Sequence, residues 1–193
     1  MKDMSWSRNI GVLLVGLGAL VAGPALAQQK LLPEQSEIAF VSRQMGVPVE
    51  GKFKKFDAHV AFDPARLGSS RVTFTVDTGS ATLGVRETDV ELPKPVWFNV
   101  PKFPQATFES SAIKTLGGGK YEVAGKLSIK GATQDVVVPV TLTQGGAHTL
   151  ATGSFVIKRL AFKIGENEWA DTSMVADDVQ VKLKLTLSGV PKL

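Results

Sequence analysis

The stretch Arg71-Val72-Thr73-Phe74-Thr75-Val76-Asp77 places Val72, Phe74 and Val76 on one side of an extended backbone and Arg71, Thr73, Thr75 and Asp77 on the other. A period of two residues predicts a strand with one dry and one wet face. The pattern recurs at Val136, Val138, Val140 and Leu142, and again at Val179, Val181, Leu183, Leu185 and Leu187. Many such strands in one chain must bury their dry faces together, as a packed sandwich or as a closed barrel whose interior holds a ligand.

The flanking sequence extends this reading in both directions. Upstream, Ile38 and Phe40 open a first strand that Gly46-Val47-Pro48 is expected to end, and Phe56, Ala58, Val60 and Phe62 form a second that stops at Asp63-Pro64. From Val85 to Pro104 the alternation fails, and Pro93, Pro95, Pro101 and Pro104 forbid a long helix, so short helical turns and loop are expected near residues 85–104. Downstream, Ala106 to Ile113 and Tyr121 to Ile129 flank Gly117-Gly118-Gly119 as a hairpin. Lys130-Gly131 and Gln144-Gly145-Gly146 turn the chain through two further strands. Neighbours joined by such short turns predict an all-β, antiparallel up-and-down meander, and closure into a barrel would remove its exposed edges.

The first residues set the compartment. Lys2 and Arg8 precede an apolar run from Ile10 to Ala22, and Ala25 and Ala27 fit an A-x-A cleavage site, so a secretory signal peptide covers residues 1–27. The run falls short of the roughly 20 residues that span a bilayer. A periplasmic chain of residues 28–193 is expected, long enough for one domain with a real core. There is no cysteine, which excludes a disulfide framework and thiol chemistry. The net charge of +4 is spread along the chain and does not make a nucleic-acid footprint.

Candidate reaction centres are weak. No G-x-S-x-G elbow occurs and the only histidines are His59 and His148. His59 shares a strand face with Asp57, opposite Phe56, Ala58, Val60 and Phe62, which reads as a solvated outer surface rather than a metal site. Glu166, Glu168 and Asp171 surround Trp169, but nothing in their spacing fixes a carboxylate pair, and a charged loop is the simpler reading. Gly119-Lys120 lacks the rest of a P-loop, because Lys114 stands at the first glycine position and Tyr121 where Ser or Thr is needed. No catalytic residue, metal or cofactor is expected. Phe40, Phe53, Phe56, Phe62, Phe74, Phe108, Phe155 and Phe162 fall mostly on dry faces; aromatics without polar tips suit a hydrocarbon ligand, and they equally fill a solid core. Periodicity leaves that choice open.

A series of short motifs resembles the YceI-like family, whose members are lipocalin-like barrels that bind polyisoprenoids and other amphiphilic lipids. They run in order from Leu32 to Leu187: Ser36-Glu37-Ile38-Ala39-Phe40, Gly51-Lys52-Phe53-Lys54-Lys55-Phe56, Phe62-Asp63-Pro64, Val76-Asp77-Thr78-Gly79-Ser80, Trp97-Phe98-Asn99, Thr107-Phe108-Glu109-Ser110, Gly125-Lys126-Leu127-Ser128-Ile129-Lys130-Gly131, Arg159-Leu160-Ala161-Phe162 and Glu168-Trp169. The resemblance implies a hollow barrel that binds an isoprenoid, polyprenyl or quinone, rather than an enzyme. The implied ligand-binding set is Phe40, Phe53, Phe56, Phe62, Phe74, Val76, Trp97, Phe98, Phe108, Phe155, Phe162 and Trp169, with Trp97 and Phe98 in a lid or entry rim. Thr88-Asp89 stand where many members carry Arg-Asp before the leucine that corresponds to Leu92, which implies a less acidic head group, with Arg86 as a nearby substitute. The Trp-Phe and Glu-Trp motifs resemble a branch with relatives fused to, or encoded near, cytochrome b561-type membrane proteins. That implies a transient inner-membrane partner for a monomer or homodimer.

Overall fold

The computed structural model describes residues 28–193, so the signal peptide expected at residues 1–27 lies outside the described residues. The elements in chain order are β1 (Lys30–Leu31), β2 (Glu37–Gln44), β3 (Val47–Phe53), β4 (Phe56–Ala61), β5 (Arg71–Asp77), β6 (Ala81–Thr82), α1 (Arg86–Asp89), β7 (Gln105–Gly117), β8 (Lys120–Ile129), β9 (Ala132–Gly145), β10 (His148–Lys158) and β11 (Asp178–Ser188). Every strand pairing is antiparallel. None of the described helices is long and apolar enough to cross a membrane.

The strand order β4-β5-β7-β8-β9-β10-β11-β2-β3-β6 contains the expected meander from β7 to β11. It also imposes closure. β3 and β4 lie near opposite ends of this path, yet only Lys54-Lys55 separates them in sequence. A two-residue link spans roughly 10 Å at full extension, so the sheet has to curl until its two edges meet. Ser80 fastens the join: its carbonyl accepts from the Lys54 N–H at 3.1 Å and its hydroxyl from the Lys55 N–H at 3.0 Å. At the other end of the seam the Gln29 side chain acts as a one-residue strand, donating to the Phe62 carbonyl at 2.7 Å and accepting from the Phe62 N–H at 2.9 Å. β1 pairs with the end of β11, at Lys30 with Ser188 and Leu31 with Leu187. The result is an antiparallel barrel whose hydrogen-bonded path is not continuous around the seam.

One strand differs from the sequence reading. Gly46-Val47-Pro48 does not end the sheet: Met45-Gly46 is a tight hairpin turn, and Val47 and Pro48 begin β3, with Pro48 opposite Arg43. Proline is tolerated there because β3 pairs on its other side only at Lys52 and Phe53, so at Pro48 that side bears no ladder. The irregular stretch after Gly84 holds α1 and a run of turns, as its prolines dictate.

Two apolar clusters fill the ends of the barrel. Leu31, Ile38, Val60, Phe62, Ile113, Tyr121, Ala151, Leu185 and Leu187 close one end. Leu92, Phe98, Ala106, Ile129, Ile157, Phe162 and Ile164 pack where the irregular segments fold over the other. Between them the strand interior is only partly filled.

Candidate functional site: an apolar cavity in the barrel

The inward positions of the central strands are not sealed as a solid core would be. Val72, Phe74, Val76, Phe108, Val123, Phe155, Val181 and Leu183 face inward but are only half-buried. They border a cavity of about 430 Å³ that runs between the two clusters. That volume lies within the roughly 300–1,000 Å³ of ligand pockets. Its wall is hydrocarbon and aromatic almost throughout.

Ten of the twelve side chains expected from the sequence border this space: Phe40, Phe53, Phe62, Phe74, Val76, Trp97, Phe98, Phe108, Phe155 and Trp169. Two do not. Phe56, at the start of β4, packs half-buried against the core beside Val76, its cross-strand neighbour. Phe162 sits in a 3-10 turn after β10 and is 1% exposed within the second cluster. Glycines set the direction of two of the rings. A Cβ on Gly51 would run into the Phe40 ring, and one on Gly125 into the Phe108 ring and the Glu109 carbonyl, so these positions keep both rings flat over the neighbouring strand.

The mouth is marked by a change of polarity along β2. Its inward side chains run Ile38, Phe40, Ser42 and Gln44 from the barrel interior to the hairpin. Thr88 and Glu91, on and just after α1, border the same opening, as do Trp169 and Val175. Trp97 and Trp169 pack against each other with ring centroids 5.5 Å apart, so the two irregular segments meet at an aromatic contact.

Arg159 organises this end, a role not visible in the sequence. It is 2% exposed, and each of its five N–H donors is consumed by a main-chain carbonyl. Nε donates to Ala176, Nη1 to Ile164 and Gly165 at 2.9 and 2.8 Å, and Nη2 to Trp169 and Val175 at 2.6 and 2.7 Å. A guanidinium has five donors in a fixed fork, so one side chain holds the whole segment from Ile164 to Ala176 against the barrel. Gly165 is required beside it, with φ +72° and no room for a Cβ against Nη1. Burial pulls the guanidinium below its ordinary pKa, and Asp177 acts in the opposite direction. Lys130 adds a second tie, donating to Glu166 Oε2 at 2.9 Å and to the Lys163 carbonyl.

These ties account for part of the acidic cluster read from the sequence. Glu166 is paired with Lys130, Asp171 accepts from the Ser173 N–H and hydroxyl at 2.8 and 2.7 Å, and Glu168 is exposed. Asp57 and His59 lie exposed on the outer face of β4. Among the described residues no group of three or more His, Asp or Glu side chains is placed to hold a metal ion. Asp89 pins α1 across the mouth, accepting from Thr82 Oγ1 at 2.5 Å and from the Leu83 N–H at 2.6 Å. Those two hydrogen bonds, with a smaller attraction from Lys54, hold its carboxyl below the usual aspartate range.

Two outcomes follow from this geometry. Arg159→Lys keeps the charge and loses the fork, so urea denaturation should report a loss of about 3 kcal/mol or more. Because the folded pKa of Asp89 is depressed, its contribution is complete above the unfolded carboxylate value of roughly 4 and is lost as pH falls through the folded value. The protection of the Leu83 amide, its exchange rate measured against the intrinsic rate at each pH, should therefore fall on acidification and stay constant between neutral and mildly alkaline pH. Asp63 and Asp171 are depressed too, so Asp89→Asn is the control that should abolish the Leu83 response alone.

Comparison with known proteins agrees with this architecture. Residues 30–187 match the YceI-like domain. A UPF0312 protein of Yersinia pestis is 34% identical over 144 residues, 72% of this chain and 74% of that protein. Another from Azotobacter vinelandii is 31% identical over 135 residues, 68% of this chain and 70% of its own. Among solved structures, BcnA of Burkholderia cenocepacia aligns with a TM-score of 0.78 at 47% identity, covering 81% of this chain and 98% of BcnA. A polyisoprenoid binding domain from Saccharophagus degradans aligns with a TM-score of 0.68 at 15% identity over 85% of this chain and 99% of that domain, a likeness of fold alone. The domain match spans the barrel from β1 to Leu187 in β11, and the chain belongs to the YceI-like family.

Proposed function

We propose that this protein binds an isoprenoid lipid with an uncharged head group, of the quinone or polyprenyl kind, and stores or carries it in the periplasm. The observation that carries the reading is the cavity wall. Among its described lining residues only Glu91 and Arg159 are charged, and every donor of Arg159 is already spent on the main chain. Among the described residues no cation with a free donor lines the space to hold a phosphate or carboxylate, while Ser42, Gln44 and Thr88 offer neutral polar atoms at the mouth. An apolar tail gains about 0.8 kcal/mol for each methylene removed from water, so a long chain binds well with few polar contacts. The polyisoprenoid binding of the fold relative from Saccharophagus degradans supports the tail chemistry. The leader read at residues 1–27 supports the compartment, and the cytochrome b561-type partner implied by the Trp-Phe branch fits a quinone cargo.

The test is competition between head groups on one tail. Emission from Trp97 and Trp169 should respond to a short-chain isoprenoid quinone. An isoprenyl pyrophosphate of equal tail length should bind at least about tenfold more weakly, a difference of about 1.4 kcal/mol. Equal or tighter binding of the pyrophosphate would overturn the neutral-head reading.

A further inference from the structure

Apolar exposure is concentrated at the mouth. Met45 and Val47 are 72% and 63% exposed at the β2–β3 hairpin, and Met174 is 45% exposed on the loop before β11. These tips form one patch. The Met45 N–H donates to the Met174 carbonyl at 2.8 Å, the Ala176 N–H to the Arg43 carbonyl at 2.9 Å, and Gln44 bridges to Val175. Val85 and Val90, also exposed, flank α1, whose Thr88 borders the cavity with Gln44 and Val175. Both apolar groups therefore stand beside the same opening.

The hairpin shows that this exposure is costly. Met45 and Gly46 hold φ of 48° and 80°, the pair of left-handed residues of a type I′ turn, where Asn-Gly is the favoured sequence. A left-handed conformation is disfavoured for a side chain such as methionine, and here no burial offsets it. Lys130 holds a similar φ of 49° before Gly131, but it is buried and tied to Glu166. The Met45 side chain, 72% exposed, is tied to no such partner among the described residues.

We propose that this rim is a bilayer-docking surface, with Met45, Val47 and Met174 on one side of the mouth and Val85 and Val90 on the other inserting between phospholipid head groups. The inference rests on the isoprenoid reading, because such a cargo resides in a membrane and an apolar rim lets it pass into the cavity without crossing water. Arg43, whose guanidinium donates to the Gly46 carbonyl at 3.1 Å, places a cation at the hairpin tip for phosphate contact. On and just after α1, Arg86 and Lys94 stand against Glu87, Asp89 and Glu91, so this side of the rim carries no excess of positive charge and insertion rather than charge attraction dominates there.

The experiment is sedimentation of residues 28–193 with phosphatidylethanolamine–phosphatidylglycerol vesicles, beside the triple variant Met45→Asn, Val47→Thr and Met174→Gln. Asparagine suits the left-handed position, so the variant should fold. It should bind vesicles at least about tenfold more weakly. A control carrying Leu116→Thr, at an exposed residue of the β7–β8 hairpin at the opposite end of the barrel, should bind as the parent does. Loading of isoprenoid quinone from detergent should be equal in all three. Equal vesicle binding by the triple variant, or none by the parent, overturns the docking surface. So does a parent dimer that the triple variant dissolves, which would assign the rim to a second copy. Rim-dependent docking with no uptake of isoprenoid by any of the three overturns the cargo reading and supports the docking surface.

Discussion

The two-residue link Lys54-Lys55 is the constraint on which the structure depends. It joins β3 to β4 across the two edges of a ten-strand path, and so decides that the sheet is rolled rather than flat. Rolling converts the dry faces of all the strands into one interior. A barrel of this strand number encloses more space than valine, leucine and phenylalanine side chains fill, provided its ends are plugged rather than its middle. The clusters around Leu185 and Phe162 plug the ends, and a cavity remains between them. The seam itself is held by side-chain substitutes for strand pairing, at Ser80 and Gln29.

Function then follows from where polarity is spent. An apolar interior needs an opening, and an opening needs backbone that does not pair as strand. Here that backbone is satisfied by charged side chains turned inward on the main chain: Arg159 on five carbonyls and Lys130 on the Lys163 carbonyl, with the Glu166 carboxylate as its counter-ion. These cations stabilise the lid segments and, in doing so, are removed from the reach of a ligand. The site is thereby left hydrophobic, with Ser42, Gln44, Thr88 and Glu91 at its rim and no unengaged cation among its described lining residues, a chemistry that suits the carrier proposed above.

Much of this was legible in the sequence because a strand's period of two is a strong signal over long runs. The strands around Phe74, Val138 and Leu183 and the hairpin at Gly117-Gly118-Gly119 read directly. β3 was hidden because Pro48 and Gly51 resemble turn residues; the one is tolerated on an unpaired edge, the other leaves room for the Phe40 ring. Alternation locates dry faces but not the space between them, so it cannot separate Phe56 and Phe162, which pack outside the cavity lining, from the rings that border it. Arg159 stands in one of the motifs that carry the family resemblance, but its role has no local signal, because its partners lie between five and seventeen residues away in a segment without regular structure.

The most direct measurement is mass spectrometry of the organic extract from the protein purified from its native compartment, with the intact mass of the complex recorded under native conditions. The account predicts one neutral isoprenoid per barrel, released on denaturation with a matching loss of mass. A protein that shows only its own mass, in a crystal structure whose interior is filled by Phe74, Phe108 and Phe155, would contradict it.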